Sequence, residues 1–504
     1  MNKEIRGFEQ KDNIEEVEKL LNSSPKEIVE RLSSFKDEKS LQDYLERVCE
    51  NPAIVAQLSY WEKWLQEEQR NILEQIVQKK RKIYQGAENP ESLPLRLEKR
   101  FNDEELKIIC ENLGAIQLTF GCSRGCPFCG FDAVPGVREH IPYVQLANLF
   151  KRYGDFLKKS RPFLYWASEP SDYRNYDYEE EKERTYRDVH QLAQLYAGYS
   201  PHITSANLNP EWIKFLTSQE EASHRISVFG LNEEKIDQIL SSISSEEEKR
   251  LKLVGKGKKH FKGIGLSFYK REEEVSIGIG CINGLLLTPR GLYNVIQSQI
   301  SEELPQGQYV IPFEGFSNQE IKKGENIKDV LRRFVVSYEA TPPLTQRQRA
   351  IIISPNREKK VVVFDKRGTI VEIYDYDLIV KKIKHCVNVL ITNQEQISVK
   401  DGIKIKIKLS PDTEILLIFF FLLKDGGIIS ININPNEIKN TIIPLMKKNL
   451  ERPVNLFEVH KENDLLSISF GFSISTPEGF DRLKNLEAER IVCNGFLKSS
   501  EIDL

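Results

Sequence analysis

The sequence predicts an α/β protein built on a partial (β/α)6 barrel, with a helical N-terminal region and a β-rich α+β domain towards its C-terminal end. Three observations predict it. The chain has 504 residues, more than one hydrophobic core organises. Between about 114 and 290, short apolar runs alternate with helical stretches, the pattern of a parallel sheet with crossover helices. Beyond about 345 the pattern becomes strand, glycine-containing turn, strand. The expected divisions are 1–100, 101–300, a connector over 301–345, and 346–504.

Residues 1 to about 85 read as helical. Ser24-Pro25-Lys26-Glu27 has the form of a capping box: Ser24 at the N-cap, proline at the first helical position and Glu27 three residues on. After Asn51-Pro52 one long amphipathic helix is expected, carrying Ile54, Leu58, Trp61, Leu65, Ile72 and Ile76 on one face and ending before Gly86. GAENPESLPL (86–95) then reads as a linker.

In the core the expected strands are 115–120, 162–167, 202–206, 225–230, 263–268, 275–280 and 284–289. Helices are expected near 142–158, 184–197, 209–217 and 232–253. About six βα units suit an open or partial barrel rather than a closed eightfold one. The acidic and aromatic stretch 171–186 reads as a solvated loop at its mouth. Residues 301–345 are rich in proline and glycine, as a connector is. Segments 361–377 and 416–434 read as hairpins, and Ile403 to Lys408 alternates strictly, like a half-buried strand.

Composition narrows the function. Charged residues make up 29% and hydrophobic ones 40%, as in ordinary soluble proteins, and a formal net charge of −3 supplies no bias towards nucleic acid or anionic membrane. The basic run Lys79 to Lys82 reads as a solvated helix end. The first residues hold no apolar signal-peptide core, and the longest apolar run, Ile415 to Leu423, is too short to span a bilayer. A cytoplasmic location is expected. Eight cysteines, three of them crowded together, point to metal binding rather than a disulfide framework.

The crowded segment is LTFGCSRGCPFCGFDA (118–133), in which Cys122, Cys126 and Cys129 follow a predicted strand with the spacing C-x-x-x-C-x-F-C. Thiolates bind iron well, and so short a loop can direct three of them at one cluster. Three is one fewer than a four-iron cluster needs, and an open metal corner can take a ligand. Gly121, Gly125 and Gly130 let the loop curl.

This segment resembles the signature of the radical S-adenosylmethionine superfamily, in which such cysteines hold a [4Fe–4S] cluster and the amino and carboxylate groups of S-adenosyl-L-methionine chelate the fourth iron. In that family the residue before the third cysteine is characteristically aromatic; here it is Phe128. The resemblance covers roughly residues 110–300 and places the loop after the first strand of a partial (β/α)6 barrel. Ala167-Ser168-Glu169-Pro170 stands where the family often has Gly-Gly-Glu-Pro. Glu169 and Pro170 match, while Ala167 and Ser168 depart from the glycines. By the same resemblance this turn accepts hydrogen bonds from the cofactor's ammonium, while Asn207, Arg225 and Ser227 stand where the family contacts ribose and carboxylate. The glycine-bearing IGIGCING (277–284) resembles a later strand near the adenine. The implied activity is reductive cleavage of the cofactor to a 5′-deoxyadenosyl radical that takes hydrogen from a substrate. The implied electron donor is a low-potential protein such as flavodoxin or ferredoxin. Cys281 is a candidate hydrogen-atom donor.

Two other readings stay open. A structural zinc site would use the three cysteines with His140, although structural zinc favours paired C-x-x-C knuckles and only one pair occurs here. A relative that keeps its cluster but is catalytically silent is the other. Cys49, Cys110, Cys386 and Cys493 stand alone, as buried packing residues do, and the Cys-rich extension that carries auxiliary clusters in many relatives is lacking. The added domains lean towards a large substrate such as a peptide or protein.

Overall fold

The computed structural model describes residues 15–85, 92–254, 284–336, 347–377 and 454–472, with short gaps inside these spans such as 127–128, 220–223 and 299–303. The chain divides into two compact units, Met1–Ser317 with Leu331–Val336, and Asn318–Val330 with Ser337–Leu504. Among the described residues no helix is long and apolar enough to cross a membrane.

The first unit's described residues open with a helical segment over 15–22, followed by helices α1 (Pro25–Ser33), α2 (Glu38–Val48), α3 (Pro52–Trp61) and α4 (Glu67–Gln85). The capping box predicted at Ser24 is formed: the Ser24 amide donates to Glu27 Oε2 at 2.7 Å, and the Glu27 amide donates to Ser24 Oγ at 3.4 Å. Leu20, Ile28, Leu32, Leu45, Ile54 and Leu73 pack these helices into one apolar cluster. The single long helix expected after Pro52 is instead two. A 3-10 turn at Glu62–Trp64 and an extended Leu65 separate them. The break has local causes: the Gln66 amide donates to Gln69 Oε1 at 3.2 Å, and the Arg70 guanidinium caps the Leu65 carbonyl at 3.0 Å, so a new helix starts there. Leu65 is 3% exposed, so it sits in the helical core with or without helical backbone, and the apolar period runs through the break.

Helix α5 (Asp103–Glu111), capped by the Asn102–Glu105 box, leads into β1 (Leu113–Ile116) and β2 (Thr119–Phe120). Then come β3 (Glu139–His140) and α6 (Tyr143–Ser160). Helix α6 lies so close to the π-helical turn Ala193–Ala197 that a Cβ on Gly154 would stand 2.1 Å from the Tyr196 carbonyl oxygen. The strand expected at 162–167 reduces to a parallel bridge between Phe163 and Ala115, with the Ile116 amide donating to the Phe163 carbonyl at 2.7 Å. Past it the chain turns at Glu169, whose side chain caps a 3-10 turn.

The stretch 171–186 is not a loop but a hairpin, β4 (Arg174–Asp177) with β5 (Lys182–Thr185). Arg184, 8% exposed, holds it together through Asp177 and Asp188. The remaining elements are α7 (Tyr186–Leu192), β6 (Thr204–Ser205), α8 (Pro210–Thr217), β7 (His224–Ser227), α9 (Glu233–Leu240) and β8 (Leu251–Val254). The helix expected over 232–253 stops at Leu240, where the Ser241 hydroxyl donates back to the Gln238 carbonyl at 2.9 Å. Its last residues instead pair as β8 in parallel with β7. Strands β9 (Gly284–Thr288), β10 (Gly291–Gln297) and β11 (Gln308–Pro312) complete this unit's larger sheet.

The sheets are small. One has the order β1-β9-β10-β11, with β1 and β9 parallel and the rest antiparallel; another is the parallel set β6-β7-β8. Among the described residues no sheet closes into a barrel. Residues 308–312, expected as connector, form a strand paired with β10. In the second unit β12 (Arg347–Ile353), β13 (Lys359–Asp365) and β14 (Ile370–Asp375) form an antiparallel meander, so the hairpin predicted over 361–377 is present. A further hairpin joins β15 (Val454–Glu462) to β16 (Leu465–Phe472). The strands expected at 263–268, 275–280, 403–408 and 416–434 lie outside the described residues.

Candidate functional site

The cysteine segment leaves β2 at Gly121, whose φ of +89° is left-handed. A Cβ there would lie 1.9 Å from the Gly136 carbonyl oxygen, so only glycine fits. The loop closes on itself: the Cys122 amide donates to the Val134 carbonyl at 2.9 Å, and the Gly136 amide to the Cys122 carbonyl at 2.8 Å. Phe131 is buried at the loop's far side, with its ring centroid 4.6 Å from that of Trp166. Cys129 packs against the same apolar cluster.

All three cysteines are half-buried and unpaired by disulfide. Amides of Arg124 and Ala133 point at Cys122 Sγ and Cys129 Sγ, each at 3.5 Å. Burial pushes the Cys122 thiol up to about 12; the Arg124 amide opposes this, while Asp172, Glu169 and Cys129 add to it. Cys126 is raised by burial and by Cys129. Cys129 is thus within electrostatic range of both others. A metal ion bound here would have to displace the protons that burial holds on Cys122 and Cys126, as thiolate metal sites do. Among the described residues no three His, Cys, Asp or Glu side chains are already gathered to hold a metal ion. His140, the fourth ligand of the zinc reading, is engaged with Asn175 Nδ2 at 2.9 Å.

The turn at Glu169 backs the loop. Asp172 receives the Ser123 amide at 2.8 Å and its hydroxyl at 2.6 Å, pinning the cysteine segment to the 3-10 turn. Glu169 is 4% exposed. Its Oε1 accepts from Ser205 Oγ and from the Ser171 amide and hydroxyl, and its Oε2 accepts from the Ala206 amide at 2.8 Å. Arg124 Nε stands 3.9 Å from Oε2. Trp212 Nε1 donates to Ser205 Oγ at 2.9 Å, so helix α8 supports the same carboxylate. The structure therefore joins Cys122, Cys126, Cys129 and Glu169 in one neighbourhood. Ser168 is half-buried in the turn, and Pro170 is buried at its first position.

The other residues fall elsewhere or do other work. Asn207 Oδ1 accepts the Asn209 amide at 3.0 Å, shaping the approach to α8. Arg225 is exposed and Ser227 half-buried, on the face of β7 opposite the buried His224 and Ile226. Phe128 and Cys281 lie outside the described residues. Ser123, Asp172, Ser205 and Trp212 were not foreseen; only the spacing of Asp172, three residues after Glu169, hinted at a second carboxylate beside the loop.

A buried ion network anchors the loop from behind. Arg290, 6% exposed, lies 3.6 Å over the ring of Phe120, the residue before Gly121. Its Nε donates to Glu139 Oε1 at 2.6 Å and its Nη1 to Glu62, which also binds Arg138. The 3-10 turn between α3 and α4 thereby reaches the strands that carry the cysteines.

In comparisons with known proteins, no family model, no curated protein and no solved structure matches this chain.

Proposed function

We propose that this chain is an iron–sulfur enzyme of the radical S-adenosylmethionine type. The observation that carries the reading is a glycine-turned loop holding three half-buried thiols at C-x-x-x-C-x-F-C spacing, pinned by Asp172 against a buried glutamate. Cys122, Cys126 and Cys129 would hold a [4Fe–4S] cluster, with S-adenosyl-L-methionine as the second cofactor. When bound and reduced, that pair supplies a carbon-centred radical for hydrogen abstraction.

The chain's own residues supply position and charge. Asp172 and the amides of Arg124 and Ala133 orient the loop and its sulfurs. Glu169, fixed by Ser171, Ser205 and Ala206, offers a negative site suited to an ammonium. Arg225 and Ser227 lie on an accessible strand face suited to a carboxylate or ribose. The open (β/α)6 arrangement is supported by parallel neighbours in chain order, β1 with Phe163 and then β6, β7 and β8, and by the Glu169 bonds that link the second segment to the third. A low-potential donor such as flavodoxin or ferredoxin, a cytoplasmic location and a peptide or protein substrate complete the reading.

The test is anaerobic reconstitution followed by metal analysis and a dithionite assay. About four iron and four sulfide per chain are expected, together with 5′-deoxyadenosine release that is lost in Cys126→Ala. Stoichiometric zinc without iron would establish the structural zinc site in its place. A full cluster without 5′-deoxyadenosine under every reductant would mark a silent relative.

A further inference from the structure

The first unit contains a cavity of about 690 Å3 where the N-terminal helices meet the turn between β9 and β10. Ligand pockets commonly span about 300–1,000 Å3. Val55 of α3 and Val77 of α4 line it, together with Ile141, Leu292 and Phe313. Asn51 and Thr288 also line it, and both are committed to the fold. Asn51 Oδ1 caps α3 by accepting the Ala53 amide at 2.8 Å. Thr288 Oγ1 accepts the amides of Arg290 and Gly291 at 3.1 and 3.0 Å. His140 Nε2 accepts from Asn175 Nδ2 at 2.9 Å, a bond that requires the uncharged ring.

The ions of the lining are matched inside the protein. Arg290, 6% exposed, is paired with Glu62 and Glu139, and Glu62 also binds Arg138, which pairs with Glu74. That cluster sets three carboxylates against two guanidinium groups, so it holds no surplus positive charge for a ligand. Arg100 donates to the Phe313 carbonyl at 3.3 Å and lies beside Glu314. Arg96 and Glu314 are each engaged within the protein. Lys99 is exposed, where water solvates it. A charged ligand would exchange its hydration for carbon walls and for ions that already have partners, and burying an unpaired charge is costly. An uncharged ligand meets no such penalty. The segment beside the cavity is also strained: Leu95 and Arg96 are consecutive non-glycine residues with φ of 55° and 50°, and both line the space. Left-handed backbone of this kind collects at ligand clamps.

We infer that this cavity binds an uncharged, largely apolar small molecule, seated among the side chains of α3, α4 and β10 against the Leu95–Arg96 turn. Burial of its apolar surface drives binding. Selection against ions of either sign is by exclusion, because the lining's own charges are neutralised or solvated before a ligand arrives. The inference does not depend on the cysteine loop and stands or falls without the radical reading.

Titration calorimetry of the full chain with 1-decanol, kept below its solubility limit, tests it. One saturable site per chain is expected, weakening roughly fourfold for each methylene removed in the 1-octanol comparison. Decanoate and decylammonium keep the chain and add a charge of either sign, and each is expected to bind at least about tenfold more weakly than decanol. Lys99→Glu, which reverses the exposed charge, is expected to leave decanol affinity within about twofold. Val55→Trp is expected to abolish binding by filling the space, with melting temperatures recorded alongside. Absence of a saturable decanol site, an ion of either sign binding as tightly as the alcohol, or indifference to chain length on the unaltered protein would each overturn the inference, whatever the variants do.

Discussion

At the scale of single residues, the candidate site depends on one backbone conformation that only glycine tolerates. Gly121 turns the chain from β2 into the cysteine loop at φ +89°, with the Gly136 carbonyl occupying the space of any Cβ. Gly121→Ala is expected to cost about 2 kcal/mol or more in folding stability. It is also expected to lower the iron retained after reconstitution. A urea titration and an iron assay check both, and a variant with unchanged stability would mean that the loop relaxes freely. The three cysteines and Glu169 were legible in the sequence because their spacing is local. The pairing of Ser123 with Asp172, and of Glu169 with Ser205, was not. Those partners lie 49 and 36 residues apart, and no local period announces such a contact.

At the scale of elements, the helical layer and the strands are coupled through charge as well as packing. Arg290 brings Glu62, from the turn between α3 and α4, together with Glu139 of β3. The sequence predicted a continuous helix across Glu62, since hydrophobic period alone does not register a side chain committed to an ion pair on another element. Removing one member of a buried ionic group leaves the others unpaired, so Arg290→Met is expected to destabilise the protein by about 3–5 kcal/mol. The triple change with Glu62→Leu and Glu139→Leu is expected to recover most of that loss. Equilibrium unfolding of the two variants makes the comparison, and an Arg290→Met protein as stable as the parent would show that the network contributes nothing. The effect is expected to persist at high salt, because the pair is dry and screening acts mainly on exposed charge.

At the scale of the whole molecule, acid sensitivity follows from two histidines in the α7–α8–β7 packing. His190 and His224 are 1% and 0% exposed, and His224 has neither ring nitrogen hydrogen-bonded. Burial lowers His190 to about 4. Burial, with His190 and His202 nearby, lowers His224 to about 3. The unfolded chain takes up these protons first, with an ordinary histidine value of about 6.5. Stability is therefore level above about pH 6.5, falls as pH drops towards 4 and 3, and flattens below. The two groups together are expected to remove several kcal/mol over that window, measured as melting temperature against pH. His224→Phe, which keeps a ring without the proton site, is expected to flatten the acid limb; a parent whose melting temperature is constant from pH 7 to 4 would refute the assignment.

What the sequence by itself determined is the set of features encoded within a few residues. These are the capping box at Ser24, the helices expected near 142–158 and 209–217 and found at Tyr143–Ser160 and Pro210–Thr217, the hairpin over 361–377, and the thiol spacing on a glycine-turned loop. Only the tertiary structure decided where α3 ends, that 171–186 pairs as strands, that 251–254 leaves the helix for β7, and that a buried arginine ties the helical layer to the cysteine strands. The physical reason is range. Caps, turns and periodicity act through neighbours along the chain, whereas ion pairs, parallel strand registers and cavities arise between segments that meet only once the backbone has folded.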